Sequence, residues 1–411
     1  MTQILSAKKG IITEEVKRVA LDEGLSIKTI ISGIKNGTIV IPKNKKRDIK
    51  KIKGIGEGLL KKVNANIGSS TNTSSLELER KKLHSAIDGE TDAIMDLSIG
   101  ENIDEIRKAL LSECPIPFGT VPIYQVASSV SNISDISFSL ILDVIEKQAN
   151  DGVDFMTIHC GLRQEFFSDI EKRLIPIVSR GGAIIYNWMK RNKKENPLYE
   201  YFEDILKIAL KYDVALSLGD SLRPGCLADA SDSAQIKELI QLGELRDMAH
   251  KEGVSVIIEG PGHLPLNHIN ANVKLAKKIT KNAPLYLLGP LPCDIAPGYD
   301  HITSAIGASL AAWAGADFIC YVTPSEHLAL PTPDEVKEGV IAAKIAGICA
   351  DIALGKKALV ERNIEMARAR KNLNWKKQEI LSIDPKKVKG YHLKNKTSCT
   401  MCGDFCVFKI K

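Results

Sequence analysis

The segment YFEDILKIALKYDVALSLGDSLRPG, residues 201–225, holds the pattern that decides the fold. FEDILKIALKY spaces its Ile, Leu and Ala at three- and four-residue intervals, as one face of an amphipathic helix does. VALSL follows as a short apolar run of strand type and ends in GDSLRPG, where Gly and Pro flank an Asp and an Arg. Read outward, this unit of helix, apolar strand and polar loop recurs. Apolar, β-branched runs fall at 93–97, 119–123, 155–159, 175–178, 214–218, 254–258, 285–288 and 318–322, with helical segments such as FSLILDVIEKQA and AQIKELIQLGELRDMAH between them. Eight strands over roughly 260 residues are what a (β/α)8 barrel requires, and strands covered on both faces read as near-continuous apolar runs. The expected fold is therefore α/β, a (β/α)8 barrel over 61–356. A doubly wound open sheet is the alternative, weakened because no GxGxxG follows the first strand.

The flanks differ in character. Thr13-Glu14-Glu15-Val16 opens a helical pattern that Gly24 closes, and Ser26 caps a second one ending near Asn36-Gly37. With the run KNKKRDIKKIKG (43–54), read as a solvated linker, they make a helical N-terminal region over 1–60. Residues 357–411 form a charged C-terminal arm that ends in a cysteine cluster.

Composition bounds the function. With 44% hydrophobic and 26% charged residues among 411, the chain is an ordinary globular protein. No stretch approaches the roughly 18 apolar residues of a membrane span, and MTQILSAKKG lacks a signal-peptide core, so a cytoplasmic protein with no membrane partner is expected. The net charge of +6 is too diffuse for nucleic-acid binding. Cys114, Cys160, Cys226, Cys293, Cys320 and Cys349 are scattered singly and read as packing. Cys399, Cys402 and Cys406 form C-x2-C-x3-C. That spacing leaves three readings: a disulfide framework, disfavoured in a cytosolic chain; a zinc knuckle completed by His392; or an iron-sulfur cluster on three thiolates whose open iron binds S-adenosylmethionine.

In a barrel, the residues that end the strands converge on one mouth. Here they are Asp96 and Ser98, Tyr124, His159, Ser179-Arg180-Gly181, Asp220 with Arg223, Glu259 with His263, Asp294 with Asp300 and His301, and Glu326-His327. SRGG and GDSLRPG set Arg beside Gly or Pro, which suits an anion site, since a guanidinium forks onto two oxygens. His263 and His327, from strands six and eight, are placed to share a divalent metal, although two histidines alone are an incomplete site.

VNANIGSS, MDLSIG, GTVPIYQ, DFMTIHCG, VSRGGA, NPLYEYF, SLGDSLRPG, IEGPGHLPL, LGPLPCDIAPGYDHITSAIGA, CYVTPSEHLALP and CTMCGDFC resemble, in order, the signature blocks of the ThiC family, the phosphomethylpyrimidine synthases of thiamine biosynthesis. The resemblance implies a radical S-adenosylmethionine lyase with a [4Fe-4S] cluster. Such an enzyme converts 5-aminoimidazole ribonucleotide to 4-amino-5-hydroxymethyl-2-methylpyrimidine phosphate, with electrons from a donor such as flavodoxin or ferredoxin, and is typically a homodimer. By motif match Asn66, Met95, Tyr124, His159, Ser179, Arg180, Gly181, Asp220, Ser221, Leu222, Arg223, Glu259 and Tyr286 resemble the substrate-contacting set. Of these, His159 and Glu259 are the candidates for moving protons. His263 and His327 resemble the ligands of a zinc or ferrous ion, and Cys399, Cys402 and Cys406 those of the cluster. The chain departs from the family pattern at Ser221, Ile99, Pro292-Cys293 and the last cysteine spacing. The first three keep open a similar paralogue, 5-hydroxybenzimidazole synthase, which acts on the same ribonucleotide.

Overall fold

The computed structural model describes residues 1–71, 75–391 and 401–409, which divide into two compact units, Met1–Gly347 and Ile348–Lys411. In the first unit eight parallel strands close into a barrel: β1 (Lys62–Ile67), β2 (Ala93–Asp96), β3 (Phe118–Thr120), β4 (Phe155–Ile158), β5 (Ala215–Leu218), β6 (Val256–Gly260), β7 (Leu285–Leu288) and β8 (Phe318–Cys320). Each pairs with its sequence neighbour, and the ring shuts where Phe318, Ile319 and Cys320 meet Lys62, Val63 and Asn64. The barrel expectation thus holds, but its list of strands needs two corrections.

Residues 175–178 are not a strand. The N–H groups of Leu174 and Ile175 go to the Asp229 carboxylate at 2.9 Å each, Pro176 has no N–H to give, and Val178 is exposed. The first strand is instead KVNANI, buried along nearly its whole length. Its alternating asparagines, poor strand formers, hid it from an apolar-run criterion.

The second unit contains the helices Lys357–Lys371, Trp375–Leu381 and Pro385–Tyr391 and a short turn of 3₁₀ helix at Gly403–Phe405.

The N-terminal helices form as read. Thr13 Oγ1 caps Glu14–Glu23 through the Val16 N–H, Ser26 caps Ile27–Asn36 through the Thr29 N–H, and Gly24 and Gly37 end them in the left-handed conformation. Val16, Val19, Ile30 and Ile34 meet Ile4, Ile39 and Leu59 in a small core of their own.

The run 43–54 is no solvated linker; it straps the bottom of the barrel. Asn44 is fully buried, its Nδ2 donating to the Ala149 and Val153 carbonyls at 2.7 and 2.9 Å. Arg47 is buried against the carbonyls of Ile116 and Cys114 and pairs with Asp154. Lys53 pairs with Asp92 at 3.0 Å. Charge counting cannot see these partners, because they sit at the start of strands far along the chain.

The two aspartates precede strands and serve as register pins. Asp154 Oδ2 accepts the Phe118 N–H at 2.8 Å and Oδ1 the Asn44 N–H at 2.9 Å. Asp92 Oδ2 accepts the Val63 N–H at 3.0 Å, and Asp317 repeats the device on Leu285. Burial would push the Asp92 carboxyl up, but Lys344, Lys53 and Lys62 hold it well below the usual carboxylate range.

Arg47→Ala strands a buried carboxylate and should cost about 3–5 kcal/mol of stability. Lys50→Ala, at an exposed position of the same run, should stay within about 0.5 kcal/mol. Urea denaturation midpoints separate the two.

Candidate active site

The strand ends open onto a cleft of about 80 Å3. Of the substrate residues inferred from sequence, Asn66, Met95, Tyr124, His159, Asp220, Arg223, Glu259 and Tyr286 line it. Each comes from a barrel strand or the loop that follows it, except Tyr124, which sits on the helix Pro122–Ser128.

Glu259 stands on β6. Its Oε1 accepts hydrogen bonds from Thr157 Oγ1 at 2.8 Å and Ser217 Oγ at 2.6 Å. Burial raises its proton affinity, and these two hydroxyls and Arg223 oppose the rise. Beside it, Asp220 Oδ1 holds Arg223 Nη1 at 2.9 Å. Burial raises the Asp220 carboxyl too, with Arg223 pulling it down and Glu259 pushing it further up. The cleft therefore concentrates two carboxyls whose ionisation is uphill around one guanidinium.

His159 follows β4. Burial, then the charge of Arg223, press its imidazole down to about 3, so the ring is neutral throughout the physiological range. Its Nδ1 has no hydrogen-bond partner, nor does the buried Nε of Arg223. Buried polar atoms are rarely left orphaned, and these two belong to residues that line the cleft.

The SRGG turn supports the cleft from outside. Ser179 Oγ caps the helix Arg180–Asn192 through the Gly182 N–H at 3.2 Å. A Cβ on Gly181 would lie 2.2 Å from His159 Cε1, and one on Gly182 2.7 Å from the Ser221 carbonyl oxygen. The glycines are needed so that the helix can press against His159 and the 219–225 loop. Arg180 is exposed, with its guanidinium 5.0 Å from the centre of the Tyr124 ring. Ser221 and Leu222 are buried behind the cleft wall.

Three residues that the sequence reading left out join the site. Thr157 and Ser217 are the hydroxyls that hold Glu259, and Cys320, taken as packing, lines the cleft with its Sγ 3.1 Å from Asn66 Nδ2. Asn64 ties Asn66 at 2.8 Å and the Tyr286 hydroxyl at 2.7 Å. Small polar residues inside otherwise apolar runs were the available signal. Cys349, also taken as a buried thiol, is exposed.

His263 and His327 meet with ring centroids 5.4 Å apart. Asp294 Oδ1 holds His263 Nδ1 at 2.7 Å and Asp300 Oδ1 holds His327 Nδ1 at 3.0 Å. Fixing Nδ1 with a carboxylate leaves Nε2 as the ligating atom, the usual support of a metal-bound imidazole. Among the described residues no group of three or more His, Cys, Asp or Glu is placed to hold a metal ion. Cys402 and the buried Cys406 bracket the 3₁₀ turn Gly403–Phe405. Cys399 and His392 lie outside the described residues.

The profile of the radical SAM ThiC family matches residues 2–411. A phosphomethylpyrimidine synthase of Thermoanaerobacter sp. (strain X514) is 54% identical over 420 residues, covering 100% of this chain and 97% of that protein. The phosphomethylpyrimidine synthase of Carboxydothermus hydrogenoformans is 51% identical over 420 residues, covering 100% and 98%. Among solved structures, a dihydropteroate synthase of Xanthomonas albilineans aligns with a TM-score of 0.45 at 12% identity, over 77% of this chain and 99% of that one.

Ser217→Ala deletes the shorter of the two hydrogen bonds to Glu259. A carboxylate that loses a donor holds its proton more tightly, so the Glu259 titration midpoint should rise by about one pH unit. Carbon-13 NMR of glutamate-labelled protein reads it; an unmoved midpoint would show that Ser217 does not stabilise the charge.

Proposed function

The chain belongs to the radical SAM ThiC family, and from that premise we propose that it is a phosphomethylpyrimidine synthase that converts 5-aminoimidazole ribonucleotide to 4-amino-5-hydroxymethyl-2-methylpyrimidine phosphate. Membership makes it an enzyme of the radical type that uses S-adenosylmethionine and an iron-sulfur cluster. The observation that carries the substrate reading is the pair of orphaned buried nitrogens, His159 Nδ1 and Arg223 Nε, in one cleft with Glu259 and Asp220. The benzimidazole alternative lacks such support, since the relatives above carry the pyrimidine synthase name.

The donor set fits a [4Fe-4S] cluster. Cys402 and Cys406 lie one short turn apart, and with Cys399 they give three thiolates and leave one iron open. When bound, the cluster and S-adenosylmethionine supply the hydrogen-abstracting 5′-deoxyadenosyl radical. The chain's own residues bind and orient. Arg223 and Arg180 hold the phosphate of the ribonucleotide, Arg223 fixed in direction by Asp220. Asn66, Tyr286 and Tyr124 bound the space for ring and ribose, with Met95 as an apolar wall. Radical chemistry needs placement within contact of the reacting carbon, and a cleft of fixed strand ends supplies it. His159 acts as a neutral hydrogen-bonding group. Glu259, its proton affinity raised by burial against the pull of two hydroxyls and Arg223, takes and returns protons during the rearrangement. His263 and His327 would hold a zinc or ferrous ion through Nε2. A homodimer, a cytoplasmic location and a flavodoxin- or ferredoxin-like donor complete the reading. No helix among the described residues is long and apolar enough to cross a membrane.

The decisive experiment is an anaerobic assay of the full chain with the ribonucleotide, S-adenosylmethionine and a reductant, followed by product mass. A benzimidazole product overturns the reaction assigned, and absence of 5′-deoxyadenosine overturns the class.

Arg180→Lys and Arg223→Lys keep the charge but lose the forked geometry, and each should weaken ribonucleotide binding by about 1–3 kcal/mol. Unchanged affinity by equilibrium titration removes that residue from the phosphate site. The double variant His263→Ala, His327→Ala should lose one divalent ion per chain while keeping its cluster iron, and Cys402→Ala should do the reverse. Elemental analysis of anaerobically purified protein checks both.

A further inference from the structure

Behind the cleft a small cavity of about 20 Å3 lies against the helices Ser233–Glu252 and Leu266–Ile279. Gln235, Glu238 and Asn272 line its outer side, and Asp220, Arg223 and Glu259 line the side shared with the cleft. Glu238 is 2% exposed and has no part in the reading given above. Its Oε2 accepts the Leu222 N–H at 2.6 Å. The Leu222 carbonyl is taken at 2.6 Å by Arg173 Nη2, and Arg173 is locked to Asp232 by two bonds of 2.7 Å. Leu222 is therefore gripped at its N–H by a buried carboxyl and at its C=O by a buried guanidinium, from two different elements, between the residues that form the Asp220–Arg223 pair.

We infer that Glu238 is a positioning residue for the cleft: from behind the barrel wall it fixes the 219–225 loop in the one conformation that presents Asp220 and Arg223 to the substrate. This rests on the ribonucleotide reading. A leucine would fill the same volume without desolvating a carboxyl, so packing alone does not call for an acid here. A leucine would also leave the Leu222 N–H buried and unpaired, and the loop would relax to find another partner.

The acid form carries the role. Burial pushes the Glu238 carboxyl up to about 8, with the Leu222 N–H pulling the other way and Asp220 adding to the rise. The groups that face it are Asp220, Arg223 and Glu259 across the cavity, and Arg173 and Cys160 beside it. At neutral pH the group is uncharged. Above that range it ionises and sets a second negative charge next to Asp220, which competes for Arg223.

The test uses the full chain with its cluster bound and measures 5-aminoimidazole ribonucleotide affinity and kcat from pH 6.5 to 9.5, for the wild type, Glu238→Leu and Glu238→Gln. Glu238→Leu should weaken affinity about tenfold, the loss for one unpaired buried N–H, with kcat at saturation within about threefold. Glu238→Gln restores the acceptor and cannot ionise, so it should recover affinity at neutral pH and lose the alkaline weakening seen in the wild type. Unchanged affinity in a folded Glu238→Leu, or an alkaline limb in Glu238→Gln identical to the wild type's, overturns the inference. If Glu238→Leu does not fold, the pH profile of Glu238→Gln decides alone. A wild type that does not bind the ribonucleotide overturns the functional reading and this inference with it; a wild type that binds, with indifferent variants, overturns the inference only.

Discussion

Everything at the mouth depends on the closure of the ring between residues 318–320 and 62–64. Until β8 pairs with β1, the strand ends and loops that carry His159, Asp220, Glu259 and Cys320 belong to an open, twisted ribbon and share no cleft. That pairing joins segments some 250 residues apart in sequence, so it must be specified rather than left to propensity. At that seam the Lys62 N–H donates to the Asp317 carbonyl at 3.1 Å, while the carboxylates of Asp92, Asp154 and Asp317 each take an N–H near the start of a neighbouring strand and pin the register of three other pairings.

Buried acids at the two ends of the barrel have different partners. At the bottom Asp92 and Asp154 meet backbone N–H groups and cations, and each becomes a joint between elements. Lysines hold Asp92 well below the usual carboxylate range, while burial pushes Asp154 up in spite of Arg47. At the mouth Asp96 is bonded by Ser98, Asp220 by Arg223 and Glu259 by Thr157 and Ser217, and burial drives all three toward the protonated form, Asp96 to about 6. A raised carboxyl thus occurs at both ends; what sets the mouth apart is that Asp220 and Glu259 face one cleft, the setting in which perturbed carboxyls point to a functional site.

This contrast also explains what the sequence could and could not reveal. The alternation of helix and apolar run gave the barrel, and polar residues at run ends gave most of the cleft lining, because both are local patterns. KVNANI was passed over as a strand since its asparagines serve the interior of the site, where Asn64 and Asn66 tie Tyr286 and Cys320. IPIV reads as a strand since nothing local announces that its first N–H, that of Ile175, goes to Asp229. The strap at 43–54 looked like solvent-facing lysines because its partners lie more than 100 residues away in the case of Asp154. Glycines 181 and 182 were legible as turn formers, but their purpose, close approach to His159 and Ser221, is a tertiary fact.

The strap has a consequence for the order of events during synthesis. The ribosome releases residues 43–54 first, with their buried Asn44 and Arg47 bereft of Asp154 until more than 100 further residues have emerged. The segment must wait, solvated, and dock as the lower rim forms around it. The cysteines are at the other extreme: Cys399 leaves the tunnel 79 residues after Cys320 has completed the last barrel strand. A nascent chain therefore possesses all the strands of its cleft before it possesses any of the three clustered cysteines. With those cysteines as the cluster ligands proposed above, cluster loading is deferred to a chain whose barrel can already have formed, and the thiols are spared a long exposure on a growing polypeptide.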